Sequence, residues 1–264
     1  MLQPGYEKRL WYIKTTWGKR CNIILFMSTA EHKALKTITL PVSEGKDNQW
    51  AKTKAAYTYV YENHRDDADW FMKADDDTYV VVENLRYMLA DYNSNLPIYF
   101  GCRFNHKKMG YMSGGAGYVL SRAALDKLVD EGLSGPTHCK VADGEHEDLK
   151  MGTCVAKIGV VAGATRDMLR RGQFFPFHVF PEWDEKYWYW HYVYYPPKDG
   201  QNCCYEYAIT FHYVQPNDMY VLDYLIYQLR PYGIEHKAAK EPRILNKVSK
   251  KAFRYDAKDK WDEK

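Results

Sequence analysis

Apolar residues recur at helical spacing in "YEKRLWYIKTTW", residues 6–17, and in "NQWAKTKAAYTYVYENH", residues 48–64, which predicts two helices. Between them "CNIILFMS", residues 21–28, is a short continuous apolar run of the kind that forms a buried strand. "DWFMKA" (69–74) and "PIYFGC" (97–102) read as further strands around a helix in "VENLRYMLADY" (82–92). "GAGYVLSRAALDKLVDEG" (115–132) reads as a strand running into a helix, and "HEDLKMGTCVAKIG" (146–159) as another helix. An aromatic, Pro-rich irregular stretch at 174–204 separates these from a strand in "AITFHYV" (208–214). A final helix in "NDMYVLDYLIYQLR" (217–230) is expected to be capped by Asn217 or Asp218. Alternation of this kind predicts an α/β domain with a mostly parallel central sheet. Without repeats or low-complexity linkers, residues 1–235 are expected to form one domain.

Composition adds a sizeable core: 46% of the 264 residues are apolar. Aromatics reach 16%, with 24 Tyr and 8 Trp, which suits surfaces that stack on flat rings or sugar faces. The net charge of +3 is unevenly placed. Residues 236–264 hold ten Lys/Arg against five Asp/Glu, whereas residues 1–235 hold 27 against 29. The body therefore lacks the positive field that nucleic-acid binding needs, and the basic tail reads as a solvated, mobile terminus. Six cysteines lack the paired spacing of a zinc site, leaving disulfides and buried free thiols both open. There is no apolar run of about 18 residues and no signal peptide, so the chain as written carries neither anchor nor export signal.

Candidate chemistry centres on "DWFMKADDDTYVVVENL", residues 69–85. Asp75, Asp76 and Asp77 stand at the carboxyl end of a predicted strand, where open α/β sheets collect ligands. Adjacent carboxylates need a compensating cation, and hard Mg2+ or Mn2+ supplies one while keeping positions open for phosphate oxygens. The bland alternative is a solvated acidic turn. His212 reads either as a core histidine or as a ligand whose nitrogen, beside two carboxylates, favours Mn2+. Glu147 and Asp148 open a helix, where the dipole alone favours acids, and a carboxylate there also suits a general base. Gly114, Gly115 and Gly117 let backbone approach a ligand closely, but neither the dinucleotide nor the P-loop glycine pattern is present. "YWYWHYVYY", residues 187–195, suits either core or a sugar platform.

Taken in order, "TTWGKRCN", "WFMKADDDTY", "YFGC", "GYMSGGAGYVLSR", "EDLKMG", "FFPF", "YWYW", "ITFHYV" and "MYVLDYLIYQLRPYG" resemble the core 1 β1,3-galactosyltransferases of glycosyltransferase family 31, across roughly residues 8–233. The resemblance implies a GT-A-like nucleotide-sugar-binding fold and inverting, Mn2+-dependent transfer of galactose. UDP-galactose would be the donor and the 3-hydroxyl of GalNAc on Ser or Thr the acceptor. By motif, Asp75, Asp77 and His212 match the metal ligands, and Asp76, Lys54 and Lys73 match donor contacts. Asp148 matches the base with Glu147 in support, and Trp188 and Trp190, with Gly114 and Gly115, match the acceptor side. Partners implied are UDP-galactose and a GalNAc-bearing glycoprotein or glycopeptide, with no nucleic acid. Oligomeric state, a homodimer included, and chaperone need stay open.

The implied location is the Golgi lumen. Family members carry an apolar strand with a cysteine before the "TWGKRC" helix, so the resemblance reads this chain as truncated at its start. In a GT-A fold that strand helps hold the uridine, so its absence would bear on both donor affinity and sheet integrity, and Cys21 would be left without its partner. Cys139 and Cys154, flanking "EDLKMG", are then the expected disulfide. The alternative function is an inactive relative that binds glycopeptide or assists another transferase; metal-dependent phosphoryl transfer leaves the aromatic stretch unexplained.

Overall fold

The chain opens with α1 (Tyr6–Thr15), continues through β1 (Met27–Ser28) and β2 (Ile38–Thr39), and then forms α2 (Gln49–His64). Next come β3 (Trp70–Lys73), β4 (Tyr79–Val80), α3 (Val82–Leu89), β5 (Ile98–Gly101), β6 (Arg103–His106), β7 (Met109–Met112) and β8 (Tyr118–Ser121). The remaining elements are α4 (Arg122–Lys127), α5 (Glu147–Lys157), β9 (Val161–Ala162), α6 (Tyr189–Tyr192), β10 (Thr210–Phe211) and α7 (Pro216–Tyr227). This computed structural model describes residues 6–106, 109–134, 139, 144, 146–178, 188–195 and 200–234. The basic tail at 236–264 and parts of the aromatic stretch lie outside the described residues.

The largest sheet runs β3-β8-β5-β9 and is mixed, which corrects the expectation of a mostly parallel one. β8 is antiparallel to both β3 and β5, and only β5 with β9 is parallel. Topology explains the difference. The chain leaves β5 through the β6–β7 hairpin and turns back into β8 without a helical crossover, whereas α4 and α5 separate β8 from β9. Parallel neighbours require such a crossover, and antiparallel ones do not.

Side-chain alternation along these strands divides the core into two layers. Phe71, Tyr99, Tyr118 and Leu120 face Trp50 and Tyr57 of α2, Leu125 of α4 and Met151 of α5. Ile98, Phe100 and Val119 face the layer containing Leu10 and Ile13 of α1, Leu85 of α3 and Met219 of α7. The period of two in a strand makes this division, since neighbouring residues must point to opposite faces. Ser121 joins sheet to helix: its Oγ accepts from Ala124 N–H (3.1 Å) as the α4 cap and donates to the Leu96 carbonyl (2.7 Å).

Three elements differ from their sequence reading. Of the run 21–28 only Met27–Ser28 is strand, because its one pairing partner is the two-residue β2. The strand expected at 208–214 shrinks to Thr210–Phe211, antiparallel to β4. α7 starts with Pro216 at its first turn and Gln215 as N-cap, not at Asn217 or Asp218; the fixed φ of proline is already helical. Cys139 and Cys154 form a disulfide, as do the adjacent Cys203 and Cys204, which nothing in the spacing anticipated. Cys21 and Cys102 are free thiols. Among the described residues no helix is long and apolar enough to cross a membrane.

Candidate metal and acid-base site

The three aspartates follow β3 directly, and a turn closes over them: Thr78 N–H donates to the Asp75 carbonyl (3.1 Å). Val214 N–H donates to the Asp77 carbonyl (2.9 Å), which brings the end of β10 alongside. His212 is thereby delivered to the acids from 135 residues further along the chain. One ligand atom each from Asp75, Asp77 and His212 fall within 4.8 Å of one another. His212 Nδ1 lies 3.2 Å from the Pro176 carbonyl. A carbonyl only accepts, so Nδ1 carries the proton and Nε2, 3.1 Å from Asp77 Oδ1, is the nitrogen turned to the acids.

Two carboxylates and a correctly oriented imidazole fit a borderline-hard divalent ion such as Mn2+. The pair also perturb each other. Burial acts to raise the Asp77 carboxyl, but the hydrogen bond and charge of His212 outweigh it and leave the acid below its ordinary range. Burial likewise acts to lower His212, and Asp77 and Asp75 reverse that to raise it.

Asp148 approaches from the other side of the glycine segment. It stands in the first turn of α5, its Oδ2 accepting from Gly114 N–H (3.0 Å) and its Oδ1 from Leu149 N–H (2.8 Å). Gly115 packs on the histidine: a Cβ there would lie 2.4 Å from the His212 ring. Thr78 Oγ1 ties the two sides together by donating to the Gly115 carbonyl (2.9 Å). The glycines thus serve the site's own packing, with Asp148 on one side and His212 on the other.

Glu147 is a different kind of residue from its neighbour. Only 7% exposed, it accepts from Thr53 Oγ1 (3.1 Å) and Tyr118 OH (3.2 Å) and pairs with Lys73 Nζ at 2.9 Å. Burial pushes its carboxyl upward, against the opposing pull of Lys73. Lys73 also pairs with Asp75 at 2.8 Å, so one partly buried ammonium bridges the metal-type cluster to the start of α5. Asp76 turns away from the cluster to meet Arg9 of α1 at 3.3 Å.

These residues line one open cleft of about 1990 Å³, which Lys73, Asp75, Asp76, Asp77, Gly114, Gly115, Glu147, Asp148 and His212 share. Lys54 is not among the residues lining it; its ammonium lies 5.8 Å from the Trp50 ring. Trp188 and Trp190 do not line it either. Trp188 packs edge-on to Phe104 (6.0 Å) and Trp190 against Tyr189 (5.3 Å), both partly buried against the core. Sequence reading missed Arg9, Thr53 and Tyr118. Thr53 sits three residues after Trp50 and four before Tyr57, on the face of α2 that enters the core, and that spacing was the available signal.

A mixed-sheet α/β chain thus carries an Asp-Asp-His cluster that could hold a divalent ion at a strand end, with a second acid on a helix start across the same cleft. The family model for Fringe-like proteins matches residues 5–169, and the chain belongs to that family. It is 43% identical over 233 residues to glycoprotein-N-acetylgalactosamine 3-beta-galactosyltransferase 1 of Xenopus laevis, a match covering 86% of this chain and 64% of the frog protein. It is also 27% identical over 159 residues to the mouse beta-1,3-glucosyltransferase, covering 59% of this chain and 32% of that protein. With mouse chondroitin sulfate synthase 3 it shares 29% identity over 140 residues, covering 47% and 15% respectively.

Proposed function

We propose that residues 1–235 are the catalytic domain of an inverting, GT-A-like galactosyltransferase. It would move galactose from UDP-galactose to the 3-hydroxyl of GalNAc-α-Ser/Thr and form the core 1 disaccharide. The observation that carries this reading is the convergence of Asp75, Asp77 and His212 with Asp148 in one cleft. Donor and acceptor identity rest on the name of the frog relative. Asp75, Asp77 and His212 would hold Mn2+, which when bound supplies neutralising charge to the UDP leaving group.

Asp148 is the base. Its position across the glycine segment from the ligand cluster suits attack from the face of the sugar opposite the leaving group, which inverts the anomeric carbon in one displacement. The carboxylate takes the proton of the acceptor 3-hydroxyl as the new glycosidic bond forms and the bond to UDP breaks. Gly114 N–H and Leu149 N–H orient it by donating to its two carboxylate oxygens. Glu147, buried and satisfied by three partners, anchors the helix start from which Asp148 projects. A Golgi location follows the same family reading.

The test is incubation with UDP-galactose, Mn2+ and a GalNAc-threonine peptide, following UDP release and product mass. Turnover is expected in the wild type. Asp148→Asn should lower it roughly 100- to 10,000-fold while leaving Mn2+-dependent UDP binding intact. Equal loss of binding and turnover would remove Asp148 from the base role, and a wild type that neither turns over nor binds UDP would overturn the assignment.

A further inference from the structure

Arg9 is a cation of the cleft that its neighbours leave under-used, and it stands beside the aspartate triplet. Among the described residues lining the cleft, Lys73 is divided between Asp75 and Glu147, at 2.8 and 2.9 Å. Arg86 donates to the Arg20 carbonyl and Asn22 Oδ1, and Lys52 pairs with Glu44 at 3.0 Å. Among the described residues Arg9 makes a single polar contact, to Asp76, at 3.3 Å, longer than the 2.7–2.9 Å of a strong charge-assisted bond. Its side chain is 36% exposed and lines the same cleft as the metal-type cluster. Its charge also reaches Asp77.

Its placement is built into the fold. Tyr12 of α1 donates to Asn217 Oδ1 (3.1 Å) and packs on Tyr220 (4.7 Å), while Leu10 and Ile13 are buried in the core. α1 is therefore fixed against α7, and Arg9 stands where that helix meets the acids. A diphosphate ligand brings at least two negative charges to a site whose three aspartates a divalent ion does not fully neutralise. A guanidinium with most of its five donors unused matches phosphate oxygens in geometry as well as charge.

We propose that Arg9 is a diphosphate-binding residue that Asp76 holds in place in the absence of ligand, and that it transfers from Asp76 to the phosphate oxygens when a nucleoside diphosphate enters the cleft. The inference rests on reading the cleft as a metal-nucleotide site. It gives Asp76 a role distinct from that of Asp75 and Asp77: a competitor for Arg9, not a ligand of the metal.

Calorimetry of the full chain with UDP in the presence of Mn2+, with uridine as a phosphate-free probe, and with Mn2+ alone tests it. Arg9→Ala should weaken UDP binding roughly 10- to 100-fold, the range for a lost charged hydrogen bond, and leave uridine and Mn2+ binding unchanged. Arg9→Lys should recover part of the loss, and Asp76→Asn should tighten UDP by releasing its competitor. UDP binding unaltered in Arg9→Ala, or a parallel loss of uridine binding that marks a structural role, overturns the inference alone. Absence of UDP binding by the wild type overturns the nucleotide reading and this inference with it.

Discussion

Gly115 lacks a side chain where the His212 ring needs the space, so an addition of one carbon at this position acts directly on the ligand cluster. Gly115→Ala is expected to displace the ring from its Pro176 carbonyl and weaken Mn2+ binding roughly 10- to 100-fold, the usual effect of disturbing a ligand's support. Mn2+ titration followed by electron paramagnetic resonance measures it, and unchanged affinity would show that the ring can shift without cost. Residue type alone could not separate the adjacent acids Glu147 and Asp148. Their difference is one of environment: Glu147 meets a threonine, a tyrosine and a lysine in the core, and Asp148 meets two backbone N–H groups at the cleft. The aspartate triplet divides in a similar way, with Asp75 and Asp77 joining His212 while Asp76 turns to Arg9.

At the level of elements, α2 and α5 meet through Thr53 and Glu147, and β3 joins them through Lys73. Thr53→Val preserves shape and removes the donor, leaving a buried carboxylate oxygen with one partner fewer. A loss of about 1–3 kcal/mol is expected in urea unfolding, and a smaller change than that range would show that Tyr118 and Lys73 suffice. Helices were the more legible elements: α1, α2 and α5 fall close to their predicted spans because their apolar spacing is local information. Strands at 21–28 and 208–214 were read too long, since a strand extends only as far as its partner does. The β6–β7 hairpin was not foreseen, and it is what reverses the chain into β8.

For the molecule as a whole, the Cys139–Cys154 bridge fastens α5 to the segment before it, across a sequence separation of 15. Replacing both cysteines by serine should cost about 3 kcal/mol of stability, from the freedom restored to the unfolded chain, and equal urea midpoints would argue that the bridge constrains little. The α/β class, the spans of α1, α2 and α5, the acidic strand end and the acid and histidine candidates were legible in the sequence, because composition, periodicity and motif order are properties of the chain itself. Only the tertiary structure decided the mixed direction of the sheet and the meeting of His212 with Asp75 and Asp77. The separate employment of Glu147 and Asp148, and the pairing of Arg9 with Asp76, were decided there too. Each depends on segments far apart in sequence, and no local pattern encodes which distant atoms will share a few ångströms of space.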